Sequence, residues 1–156
     1  MDQMKSDAIS AFWETFLKKT GKDVSVQYID CFYFDNSEES ANALLELVLN
    51  GTKKATSTSL HFFERRNLPV PKAGDFNIVT DWNGVPHCVI QTTNVTVLPF
   101  REITFDICKR EGEDDNLESW RNGHIHFFTE DGEAEGYRFT WDMPVVFEDF
   151  EVVYRL

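Results

Sequence analysis

Apolar residues fall at Ile9, Phe12, Trp13, Phe16 and Leu17, a three-and-four spacing that places them on one face of a helix. Ser6 reads as its N-cap and Gly21 as its stop. A second stripe, Ala41, Leu44, Leu45 and Val48, predicts a helix from about Ser37 to Asn50. Asn36 followed by Glu39 offers a capping arrangement, and Gly51 supplies the left-handed residue beyond the end. The stretch GTKKATSTS therefore opens where a helix closes. Beyond it the period changes: FNIVT and HCVIQTTNVTVL are rich in β-branched residues, and Asn83-Gly84 between them is a hairpin signal. Residues 100–109 suit a short helix. Another begins near Asn116, with Leu117, Trp120 and His124 on one side and Gly123 against it. DGEAEG at 131–136 reads as a loop, and VVFEDFEVVY as a closing strand. Strands with turn signals, interrupted by helices, predict an α+β fold in which a small mixed β-barrel carries helices on its outside. Barrel closure also removes exposed strand edges.

The 156 residues, 42% of them hydrophobic, suffice for one domain with its own core. Residues 1–35 read as an N-terminal helical extension and the first strands of that domain. Cys31, Cys88 and Cys108 are odd in number, far apart and without a CxxC pair, which argues for a reduced, cytoplasmic setting and against a disulfide framework or zinc ribbon. The first residues carry acids and no long apolar run, unlike a signal peptide. No stretch reaches the roughly 20 apolar residues of a membrane span.

Charge refines the picture. The chain has 27 acidic and 15 basic residues, a net −12, which disfavours broad attraction to nucleic acid. Yet Gly51 to Lys72 holds Lys53, Lys54, Arg65, Arg66 and Lys72 against Glu64 alone. This basic island suits a small anionic or polar ligand or a short RNA segment, although a lightly charged surface loop has the same composition.

Four groups of residues can carry chemistry. A lysine desolvated enough to act as base can activate a nearby hydroxyl, as Lys53 could for Thr56; the same lysine can instead hold an anion as an ammonium. Glu111 to Asp115, EGEDD, can supply an acid, a base or a cation ligand, but acids before a helix also simply complement its dipole. His124 and His126 share a face only on a strand, and no further ligand stands at zinc spacing. Phe62, Phe63, Trp82 and Trp141 can stack on bases or pack in a core. No metal or cofactor is implied by any motif.

The stretches LVLNGTKKATSTSL, LPVPKAGDFNIVTDWNG, VIQTTNVTVLPFREI, EGEDDNLESWRNGHIHFF and DMPVVFEDFEVVY together resemble the ASCH family, whose fold is similar to the PUA barrel of RNA-modifying proteins. The resemblance covers most of the chain from Leu44 onward, and this chain has the longer form with an additional N-terminal helix. It implies recognition of RNA or of a modified nucleoside or nucleotide. One branch of the family comprises acetylcytidine amidohydrolases, in which the lysine and threonine of GxKxxT act with a downstream glutamate. Those positions match Lys53, Thr56 and, four residues before the helix-opening Leu117, Glu113; Glu111 lies only two residues away. Thr56 would attack, Lys53 activate it and Glu113 hand protons to the leaving amine, with Gly51, Lys54, Ser57, Arg66 and Lys72 holding the ligand. Other members of the longer form are ascribed ribonuclease activity, which Glu111, Glu113 or Asp114 could assist through a metal. A plain binding module remains the simplest alternative.

Overall fold

The computed structural model describes residues 3–156. They form two compact units, one of residues up to 51, 74–92 and 151–156, the other of residues 52–73 and 93–150. In chain order the elements are α1 (Gln3–Thr20), β1 (Asp30–Phe32), α2 (Glu38–Leu49), β2 (Ala55–Ser59), α3 (Leu60–Arg65), β3 (Phe76–Thr80), β4 (Pro86–Pro99), α4 (Phe105–Cys108), α5 (Leu117–Glu135) and β5 (Pro144–Arg155). Two 3-10 turns, Phe100–Glu102 and Lys109–Glu111, flank α4. The strands pair in the order β1-β3-β4-β5-β2, parallel between β1 and β3 and antiparallel between β3 and β4 and between β2 and β5. The α+β class and the mixed sheet with helices around it are as the sequence predicts.

In the first unit, α1 buries Ile9, Phe12, Trp13, Phe16 and Leu17 against Ile78 and Val89 of the sheet. Each such side chain contributes on the order of 1.5–3 kcal/mol when removed from water, so this helix is part of the core. It is already helical at Gln3, so Ser6 lies within it instead of capping it. Gly21 does end it, at φ 68°, with the Lys22 N–H bonded to the Leu17 carbonyl. The cap of α2 is Ser37, whose hydroxyl accepts from the Ser40 N–H; the Asn36–Glu39 arrangement is displaced by one residue.

The second unit is built on Phe100, Ile103, Cys108, Trp120, Phe128, Met143 and Val145. Its main departure from the sequence reading is the length of α5, which runs through Gly123 and on to Glu135, so residues 131–135 are helix and not loop. The reason lies at Gly132. A β-carbon there would stand 2.4 Å from the Tyr137 carbonyl oxygen, so this glycine allows close packing without breaking the helix. Gly136, at φ 88°, makes the left-handed exit. Asn116 caps the other end, accepting from the Ser119 N–H at 2.8 Å. That cap fixes where Trp120 and His124, one turn apart, point.

Candidate functional site

Strand β2 alternates buried and half-buried residues: Ala55, Ser57 and Ser59 face the core of the second unit, and Thr56 and Thr58 the opposite side. Lys53, just before the strand, shares the buried side and is itself 2% exposed. Its ammonium donates to the Ala55 carbonyl at 2.8 Å and reaches two carboxylates, Glu113 at 2.7 Å and Glu111 at 3.5 Å. The two acids differ sharply. The Glu111 side chain is 2% exposed and the Glu113 side chain 22%. Glu111 also accepts from the Trp120 indole N–H at 2.7 Å and the Ser57 hydroxyl at 3.1 Å, and the His124 Nε2 stands 3.5 Å away.

Gly112 makes this split possible. It takes φ 72° and lies so close to Thr52 that a β-carbon would meet that residue's carbonyl oxygen at 2.3 Å. The chain therefore reverses locally, with Glu111 directed inward and Glu113 to the rim. The turn is pinned on both sides. The Lys54 N–H donates to the Arg110 carbonyl at 2.9 Å, while one terminal guanidinium nitrogen of Arg110 reaches both Asp149 oxygens at 2.6 and 2.7 Å. Arg110 also lies over the Phe147 ring.

Two carboxylates thus share one ammonium. Burial alone would raise the Glu111 carboxyl; Lys53, followed by His124 and the Trp120 N–H, outweighs it and holds Glu111 well below the usual carboxylate range. For Glu113, burial and then the repulsion of Glu111 prevail over Lys53, so its carboxyl is raised. Divergence of this kind gives neighbouring acids separate roles: one stays ionised and the other exchanges a proton more readily. His124 is raised as well, because Glu111 more than offsets the effect of burial on its charged form.

Of the residues expected at a site, Lys53, Ser57 and Glu113 stand together. Thr56 lies on the other face of β2, in register with Glu148 of β5. Gly51 takes φ 82° in the turn after α2. The Lys54 side chain is exposed, and its backbone ties β2 to Arg110 and Phe150. Arg66 makes two contacts to Glu135 and lies 4.6 Å from the Phe62 ring centre, while Lys72 is exposed. One arginine of the basic island is therefore committed to an acid of α5. Asp114 accepts from the Ser119 hydroxyl, and His126 pairs with Glu130 on the exposed side of α5, away from His124. Among the described residues no group of three or more His, Cys, Asp or Glu side chains is arranged to hold a metal ion. Burial pushes the thiols up, to about 12 for Cys88 and about 11 for Cys31 and Cys108, which leaves them poor nucleophiles.

Sequence reasoning passed over Glu111, Trp120 and His124 as a unit. The signal was the four-residue step from Trp120 to His124 on a capped helix, directly after an EGE turn.

The ASCH domain family matches residues 30–154. A protein from Enterococcus faecalis V583, EF3133, superposes with a TM-score of 0.87 at 32% identity, over 94% of this chain and 88% of that one. An ASCH domain from Lactobacillus crispatus JV V101 gives 0.84 at 30% identity, over 99% and 97%. No curated protein sequence matches the chain. The matched span leaves no doubt of class: the chain belongs to the ASCH domain family. That membership supports RNA-related binding. No helix among the described residues is long and apolar enough to cross a membrane.

Proposed function

We propose that this protein recognises a modified nucleoside, free or at an exposed position of RNA, at the rim formed by Lys53 and Glu113, and hydrolyses an acyl-amide on its base. The observation that carries the reading is the pairing of one buried ammonium with two unequal carboxylates, 2.7 Å from the outer and 3.5 Å from the inner. A purely structural ion pair needs a single acid. The second, buried acid keeps Lys53 positioned whether or not Glu113 is protonated. Glu113 is then free to take a proton from the attacking oxygen and return it to the leaving amine, in the range where its raised carboxyl exchanges. The Lys53 ammonium faces the negative charge that develops on the acyl oxygen. The family pattern assigns the attack to Thr56. Strand alternation turns that side chain away from the face of Ser57, which supports a water molecule as the attacking group.

Incubation with a panel of acylated nucleosides and a short RNA, followed by chromatography, tests the reading. We expect release of the free amine nucleoside, with Lys53→Ala and Glu113→Gln each lowering kcat on the order of 10²–10⁴-fold. Thr56→Val retains turnover if water attacks and abolishes it if the threonine does. Cleavage of the RNA chain, or binding without any product, would overturn the amidohydrolase assignment.

A further inference from the structure

His124 belongs to no expected catalytic set, yet its ring is packed into the site. It stacks on Trp120 with centroids 4.1 Å apart and an interplanar angle of 19°, and Phe128 lies 6.0 Å away on the same helix. Nδ1 stands 2.9 Å from the Trp120 carbonyl oxygen. A carbonyl oxygen only accepts, so that nitrogen carries a hydrogen. Nε2 stands 3.5 Å from Oε1 of Glu111, a carboxylate that already receives the Trp120 indole and Ser57 hydroxyl hydrogens. An ionised carboxylate also only accepts. With both ring nitrogens facing acceptors, the favourable species is the imidazolium.

The ionisable groups acting on the ring are Glu111, from the turn Lys109–Glu111, and Glu113 just beyond it; Lys53, before β2, meets both of those carboxylates. With His124 protonated, two positive charges balance two negative ones. The distances indicate what this does for Lys53. Glu111, supplied by Trp120, Ser57 and His124, leaves the ammonium to lean toward the outer carboxylate, 2.7 Å against 3.5 Å. Without the imidazolium, Glu111 would have Lys53 as its one cationic partner among these groups and would draw it inward, away from the rim.

We propose that His124 is a positioning residue: as an imidazolium it occupies Glu111 and so presents Lys53 to Glu113 and to the ligand, and its deprotonation withdraws that lysine from the rim. The functional half rests on the nucleoside reading above; the charge half does not. The raised His124 titration agrees with the geometry, since Glu111 favours the charged ring more than burial opposes it.

Nitrogen NMR of the histidine rings in the full-length protein, without ligand, tests the charge half. We expect both His124 nitrogens to stay protonated to a pH above 6.5, the ordinary histidine value. Titration of His124 at or below 6.5 would overturn the inference, whatever any ligand assay gives. Glu111→Gln should bring the His124 midpoint down; if that variant does not fold, Glu113→Gln should lower it by a smaller amount. An unchanged midpoint in a folded Glu111→Gln variant also overturns it.

For the functional half, turnover of an acylated cytidine is followed across the His124 midpoint. Wild type should lose kcat/KM about tenfold per pH unit above it, and His124→Gln should give a lower profile without that step. A purely structural histidine would lower both arms equally and leave the step in place, which contradicts the proposal. Failure of every nucleoside to react, with His124 still protonated, removes the amidohydrolase reading while the charge assignment stands.

Discussion

Gly112 and Lys53 are the residues on which the site turns. Gly112 combines a left-handed backbone with a contact that a β-carbon would close to 2.3 Å, against backbone and not against a flexible side chain. Gly112→Ala should therefore cost more than about 2 kcal/mol, above the strain of the φ angle alone. Urea denaturation would show it, and a loss near zero would mean that the turn relaxes freely. Lys53→Met makes a different demand. It leaves Glu111 buried without its ammonium, a change expected to cost about 3–5 kcal/mol. Glu113→Gln, at the rim, should cost under about 1 kcal/mol. Equal losses in the two variants would contradict the division into an inner anchor and an outer working acid. The spacing of GTKKATS made Lys53 legible in the sequence, but not its burial, because lysine is rarely buried without partners and its partners lie near residue 111.

At the level of elements, local signals located α1, α2, β3, β4, α5 and β5 but misplaced several of their ends, and left β2 and α3 unmarked. The five apolar residues of α1 and the β-branched runs of β3 and β4 are strong local signals, and the structure carries them through. Caps depend on single hydrogen bonds, and neighbouring polar residues compete for them. For α2 the structure chooses Ser37 over Asn36. Ser37→Ala should accordingly destabilise by about 1 kcal/mol and Asn36→Ala by much less, measured as a difference in denaturation midpoint. The reverse order would restore the capping arrangement read from sequence. The extension of α5 was illegible for another reason. Gly132 signals a break when read locally, whereas its role is to admit the Tyr137 carbonyl, a contact set by the chain that follows. Thr56 teaches the same lesson at the site. A motif fixes which residues occur together, while the strand period decides which of them share a face.

For the molecule as a whole, net charge and pH dependence bring these pieces into one account. At −12 the chain repels extended polyanions, and the commitment of Arg66 to Glu135 fits a nucleoside-sized ligand better than a long RNA track. His124, raised above its ordinary value of 6.5, stabilises the fold fully below that value and loses the contribution as pH rises through its folded midpoint. Glu111, depressed below 4.5, contributes above that value and is lost as acid protonates it through its folded midpoint. Urea midpoints should therefore fall on raising the pH from 6 toward 9 in wild type, and that fall should shrink in His124→Gln. An identical fall in both would place its origin elsewhere. The central claim, a ligand site at the Lys53–Glu113 rim, meets its most direct measurement in the Trp120 indole N–H, which donates to Glu111 at 2.7 Å. The Trp13 indole, bonded to the Val26 carbonyl at 3.1 Å, is an internal control. On titrating an acylated cytidine into nitrogen-labelled protein, the Trp120 indole resonance should shift saturably while that of Trp13 stays in place. A saturable shift of Trp13 with none at Trp120, or no shift of either up to millimolar ligand, would contradict the site.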